Sequence, residues 1–171
     1  REMHGDALPD VYGGFGTSLR FYGVDFSIGF TYQLGGQVLD QGYRFYMNSP
    51  AGTSTGNNYH HDLLNSWTPE NSGSNIPRFA YNDSNQAAVS DRFLTSASYL
   101  NIQNITLGYT LPKRITRKFL VENLRIYLAC DNVWYWSKRQ GLDPRQSING
   151  ITNPYYYAPI RTFSGGVTVT F

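Results

Sequence analysis

The chain has 171 residues, enough for one domain with a real core and with nothing to argue for a second. Aromatic residues make up 16% of it, while charged residues make up 15% against about 25% in an ordinary soluble domain. A formal net charge of +2 is too small for a nucleic-acid footprint, the single Cys130 excludes an internal disulfide and a Cys-based zinc site, and no apolar run approaches the ~20 residues of a membrane-spanning helix.

The opening residues, REMHGDALPD, contain no apolar stretch or cleavage motif and are not expected to be a signal peptide, so an exported protein would begin upstream of them. The first strand is expected over about 10–21, where Val11, Phe15, Leu19 and Phe21 share one side and Ser18 and Arg20 the other. The second, over about 23–34, alternates strictly. Val24, Phe26, Ile28, Phe30, Tyr32 and Leu34 take one face, and Asp25, Ser27, Gly29, Thr31 and Gln33 take the other. Only Tyr22 and Gly23 separate these two runs, which predicts a hairpin with a very tight turn.

A third strand is expected over about 98–111, with Ile105, Leu107, Tyr109 and Leu111 on one face. Leu100 and Ile102 have the opposite parity, so a β-bulge is expected near Gln103 and Asn104, and Pro112 ends the run. The fourth strand, about 124–136, sets Leu124, Ile126, Leu128 and Cys130 against Arg125, Tyr127 and Asp131. In the fifth, about 161–171, Phe163, Val167, Val169 and Phe171 alternate with Ser164, Thr168 and Thr170, and Gly165 leaves one position of the apolar row empty.

Each run has the ~9–11 residues with which a tilted strand crosses a bilayer. The connections are uneven: a two-residue turn and the short stretch 112–123 contrast with long loops over 35–97 and 137–160. Short turns on one rim and long loops on the other are the layout of a membrane barrel. The mean hydropathy of −0.42 is compatible with that layout, because one wet face cancels one greasy face.

No nucleophile motif, phosphate loop or catalytic carboxylate pair is present, so no catalytic or cofactor residue is assigned and no enzyme is expected. His60, His61 and Asp62 have metal-ligand chemistry, but adjacent histidines on an extended chain point apart, and no metal site is expected. Lys113, Arg114, Arg117 and Lys118 read as a solvated turn, and Asp143 before Pro144 reads as a turn start. Arg20, Asp25, Arg125 and Asp131 lie on wet faces, since Arg on a lipid face near the midplane costs about 2–4 kcal/mol, and are candidate lumen contacts. Trp67, Tyr155, Tyr156 and Tyr157 are candidate ligand contacts in the long loops, because tyrosine stacks and hydrogen-bonds at low entropic cost. Loop packing or a membrane-interface girdle is the plainer reading, which Trp134, Tyr135 and Trp136 fit better still.

The stretch SYLNIQNITLGYTLPKRI, followed in order by LRIYLACDNVW, GLDPR and RTFSGGVTVTF, resembles the C-terminal part of SusC/RagA-type TonB-dependent outer-membrane transporters of the Bacteroidetes. GDALPDVYGGFGTSLRFYGVDFSIGFTYQLGG and LLNSWTPENSGSNIPR fit the same pattern, so the resemblance covers nearly the whole chain. It implies an all-β fold: the last five strands of a 22-stranded antiparallel transmembrane β-barrel, with residues 1–171 supplying wall and two extracellular loops. The plug domain and the TonB-contacting segment would lie outside this chain.

The resemblance also implies import of a large nutrient, an oligosaccharide or oligopeptide, across the bacterial outer membrane with energy relayed by TonB. A SusD-like surface lipoprotein would sit as a lid on the loops, which makes Trp67, Tyr155, Tyr156 and Tyr157 candidate lid contacts as well. Arg20, Asp25, Arg125 and Asp131 would face the plug or lumen, and Phe163, Val167, Val169 and Phe171 would form the signal bound by the barrel-assembly machinery. The rival from another class is a soluble β-sandwich that binds carbohydrate through exposed Tyr and Trp. It requires the apolar faces to pack on each other across loops of similar length.

Overall fold

The structure, a computed structural model, describes residues 5–49, 58–83, 85–86, 88–139, 141–146, 149–153 and 155–171. In chain order the strands and helices are β1 (Val11–Phe21), β2 (Val24–Leu34), β3 (Gln37–Leu39), α1 (Gln41–Tyr46), β4 (Leu94–Ser96), β5 (Tyr99–Thr110), α2 (Lys113–Thr116), β6 (Asn123–Ser137) and β7 (Thr162–Thr170), with short 3-10 turns between them. The five long strands form one antiparallel sheet in the order β1-β2-β5-β6-β7, and β3 pairs with β4 as a separate ribbon in the first long loop.

Local chemistry accounts for the joints. Tyr22 (φ 46°) and Gly23 (φ 85°) both take left-handed backbone, as a two-residue type I′ hairpin turn requires. The expected bulge is present: Gly29 faces Asn104 but Phe30 faces Ile102, so Gln103 is the extra residue. On the other side Ile102 faces Trp134 and Asn104 faces Asp131, with Asn132 at φ 50° absorbing the slip. The bulge returns Leu100 and Ile102 to the face of Ile105 and Leu107 and sets Trp134 and Trp136 beside them. Leu128 leans into the gap at Gly165, where an added Cβ would meet its methyl at 3.1 Å.

The sheet therefore has one apolar and one polar face, and among the described residues nothing covers the apolar one. Leu107 is 49% and Val169 42% exposed, and Phe26 and Ile28 are only half-buried. The buried apolar residues, Val38, Leu39, Met47, Phe93, Ala97 and Leu142, all lie in the long connections. This overturns the soluble sandwich, because among the described residues no second sheet seats on the apolar face of the first. The described parts of the long loops pack around a core of their own. No described helix is long and apolar enough to cross a membrane, which says nothing about strands.

Candidate functional site

On the polar face, Asp25 of β2 and Arg125 of β6 are joined across the strand between them. Arg125 Nε donates to Asp25 Oδ1 at 3.0 Å and Nη2 donates to Oδ2 at 2.5 Å, a bidentate geometry. The residue of β5 lying between is Gly108, opposite both Asp25 and Tyr127. A Cβ there would lie 2.5 Å from the carboxylate oxygens and 2.6 Å from Arg125 Nη2, so the missing side chain is what lets the pair close. Arg20 faces Asp25 from β1, and the Arg125 guanidinium lies 5.1 Å from the Tyr127 ring centre. Three of the four wet-face charges thus gather around one point. Asp131 stands apart, opposite Asn104 and Thr162.

At the rim where Leu34, Tyr99, Ser137 and Thr162 lie, the two long loops are fastened to each other. Leu39 N donates to the Gly150 carbonyl at 2.6 Å and Thr152 N donates to the Leu39 carbonyl at 3.1 Å, so the second loop adds an edge to β3. Asp40 caps α1 by accepting the Tyr43 N–H at 2.8 Å. Its other oxygen accepts from Arg139 Nη1 at 3.0 Å, and the Arg139 guanidinium sits 3.8 Å from the Tyr43 ring centre. The Tyr43 hydroxyl donates to Asp62 Oδ2 at 2.8 Å, and the His60 ring stands edge-on to Tyr43 at 4.7 Å. His60 Nδ1 accepts the Asp62 N–H at 3.1 Å, which leaves the proton of the neutral ring on Nε2. Asp40, Tyr43, Tyr46, His60, Asp62 and Arg139 line a cleft of about 610 Å³.

The Tyr43 hydrogen bond, helped by the neighbouring His60 and His61, holds the Asp62 carboxyl below its ordinary value of 3.8, while burial and the Asp62 charge push the Tyr43 phenol up. A carboxylate with a lowered folded pKa stabilises fully above its unfolded pKa and stops doing so as pH falls through the folded one. The Asp62 contribution to loop order around 60–66 should therefore be lost as pH falls below about 4. Hydrogen exchange of the 60–66 amides through the acid range would check this. Loop order that does not change as pH falls through that range would overturn it.

The structure places the other sequence candidates as follows. The Trp67 side chain is partly exposed, and its backbone N–H donates to the Ile76 carbonyl at 2.9 Å. Tyr155, Tyr156 and Tyr157 are all exposed, Tyr157 to 95%, and Tyr155 borders a second cleft with Phe45, Asn48 and Ile151. Trp134 and Trp136 stand on the apolar face, but Tyr135 points to the opposite face, where Arg145 lies 5.3 Å from its ring centre. Adjacent strand residues cannot share a face, so Tyr135 leaves the expected girdle. Asp143 does start a turn, accepting the Arg145 N–H at 3.0 Å, and is itself buried and gripped by the Arg145 guanidinium at 2.8 and 2.6 Å. His60 is extended and caps a 3-10 turn that His61 begins, and the two Nδ1 atoms lie 3.5 and 3.8 Å from different oxygens of Asp62, so both rings stand by one carboxylate.

Asp40, Tyr43 and Arg139 were not singled out from the sequence. Asp40 could have been, as an Asp immediately before a helix, but its cation lies 99 residues away.

No family model matches the chain. It is 26% identical to TonB-dependent receptor P3 of Formosa agariphila, over 100% of this chain and 17% of that protein. It is 28% identical to TonB-dependent receptor SusC of Bacteroides thetaiotaomicron, over 95% of this chain and 15% of that protein. Among solved structures, the RagAB peptide transporter superposes with a TM-score of 0.82 at 24% identity, over 99% of this chain and 18% of the transporter chain. The homologues are thus TonB-dependent receptors, SusC among them, of which this chain spans only a fraction, and the fold is that of a segment of such a transporter barrel.

Proposed function

We propose, from this homology, that the chain is the C-terminal wall segment of a TonB-dependent transporter in the bacterial outer membrane, and that its parent imports a large nutrient, an oligosaccharide or oligopeptide. The observation that carries the reading is the inverted burial: the loops hold the dry core while the apolar face of the sheet is left open. In water that face and two unpaired strand edges are liabilities. In hydrocarbon the face is satisfied, and β1 and β7 must each pair with further strands of a closed barrel.

On this reading Phe26, Leu107, Ile126 and Val167 face lipid, and Arg20, Asp25, Arg125 and Asp131 face the lumen or the plug. The fastened loops project outside the cell, presenting Trp67, Tyr155, Tyr156 and Tyr157 to substrate and to a SusD-like lipoprotein lid. TonB would act through segments outside this chain. The relatives are receptors and transporters and not enzymes, in keeping with a site that only binds and guides.

Uptake tests the proposal. A strain lacking the parent protein should lose import of one class, labelled oligosaccharides or labelled oligopeptides, and a strain lacking TonB should lose the same class. Normal import of both in the deletion strain would overturn it. The outward row of β7, with Phe171, is proposed to be what the barrel-assembly machinery reads. Phe163→Ser with Phe171→Ser should remove most of the heat-modifiable, folded parent protein from outer membranes while leaving its synthesis unchanged. Normal folded yield would show that the machinery reads something else.

A further inference from the structure

We propose that the short connection over residues 112–122 is a docking surface for anionic phospholipid headgroups, in the leaflet that meets the rim opposite the long loops. The inference rests on the barrel reading above. As a sequence, the four cations are a solvated turn. The structure adds what such a turn does not need. Lys113, Arg114, Arg117 and Lys118 are all exposed on α2 and the 3-10 turn Arg117–Phe119, and none of them makes an ion pair among the described residues. Between and after them stand Ile115, Phe119 and Leu120, the last two 73% and 88% exposed.

Leu120 is the informative residue. It ends the 3-10 turn in left-handed backbone, φ 57° and ψ 28°, where Gly or Asn is the ordinary occupant. Backbone strain and contact with water both disfavour leucine at this position, and an apolar medium around the side chain is what would favour it. The height is right for such a medium. Leu111 N donates to the Leu124 carbonyl at 2.8 Å, closing the β5-β6 ladder, and both leucines continue the apolar rows of their strands. The connection therefore leaves and rejoins the sheet at the margin of the hydrocarbon layer, the depth at which headgroup phosphates lie. Long basic side chains there keep their stems in the apolar layer and their charges at the phosphates. With Glu122 as the only acid in the stretch, charge complementarity selects anionic lipid over zwitterionic lipid.

The test uses the full-length parent protein in phosphatidylcholine bilayers doped with spin-labelled phosphatidylglycerol or spin-labelled phosphatidylcholine. Heat-modifiable migration first shows whether the barrel has inserted. The inserted protein should immobilise phosphatidylglycerol several-fold more than phosphatidylcholine, and salt should weaken the preference. Lys113→Gln, Arg114→Gln, Arg117→Gln and Lys118→Gln together should bring the ratio close to one. Leu120→Asn, which suits the backbone, should lower the ratio partway without lowering thermal stability. An inserted barrel with no preference, or one whose preference survives the quadruple variant, would overturn the inference and leave the barrel reading intact. Capture of an acidic periplasmic protein that the quadruple variant alone abolishes, with lipid preference unchanged, would also overturn it. Failure to insert at all would sink the barrel reading, and this inference with it.

Discussion

Arg139→Ala should unfasten the two long loops. The Asp40 side chain is almost fully buried and relies on Arg139 as its counter-ion, so the variant leaves a buried carboxylate with only the Tyr43 N–H to satisfy it. Stranding a fully buried charge costs about 3–5 kcal/mol, but Arg139 is itself about one-third exposed, and water would take up part of its role, so we expect about 2 kcal/mol. The lost stacking on Tyr43 belongs to the same event, and Arg139→Lys, which keeps the charge but not the planar guanidinium, should fall between. In the parent protein, amides over 40–47 and 60–66 should exchange roughly 30-fold faster while those of the β2-β5-β6 ladders do not change, the factor following from about 2 kcal/mol. Unchanged protection in the loops would mean that the β3 edge contacts with Gly150 and Thr152 suffice without the ion pair. If the transport proposal above holds, nutrient uptake should weaken along with the protection, because the same loops expose Tyr155, Tyr156 and Tyr157.

Gly108→Leu should be the most damaging single change in the wall. The new side chain enters the space where Asp25 and Arg125 meet, so it adds steric overlap and separates a bidentate pair at once. Overpacking alone costs about 1–3 kcal/mol in the unfolding of the inserted barrel, and separating the pair adds to it. Thr106→Leu, two residues earlier on the same face and opposite Ser27 and Ala129, is the control for bulk alone and should cost clearly less. A double-mutant cycle isolates the cause: in a background with Asp25→Asn and Arg125→Gln, Gly108→Leu should be less harmful. Additive costs would show that Gly108 is not a gap kept for the pair.

Much of the wall was legible along the chain. The alternation over 23–34 already distinguishes the two faces of β2, because successive side chains on extended backbone must point to opposite sides. The opposite parities of Ile102 and Ile105 mark Gln103 as a bulge for the same reason, and Tyr22-Gly23 is a turn because so few residues were left to reverse the chain. These features are set within a few residues by backbone geometry. The loops were opaque, since a segment packed around Met47 and Phe93 follows neither a two-residue nor a 3.6-residue period. That His60 and His61 both stand by Asp62 depends on a local turn that composition does not announce.

Only the tertiary structure decided which charge meets which. Asp25 and Arg125 could be seen as wet-face residues, but their meeting depends on strand register and on Gly108 standing between them, and Asp40 meets Arg139 only because Leu39 binds the Gly150–Thr152 edge of the second loop. Period and parity are short-range consequences of bond geometry and can be read from one strand at a time. Partners about a hundred residues apart are chosen by register, packing and the medium against each face, which no single stretch of chain contains.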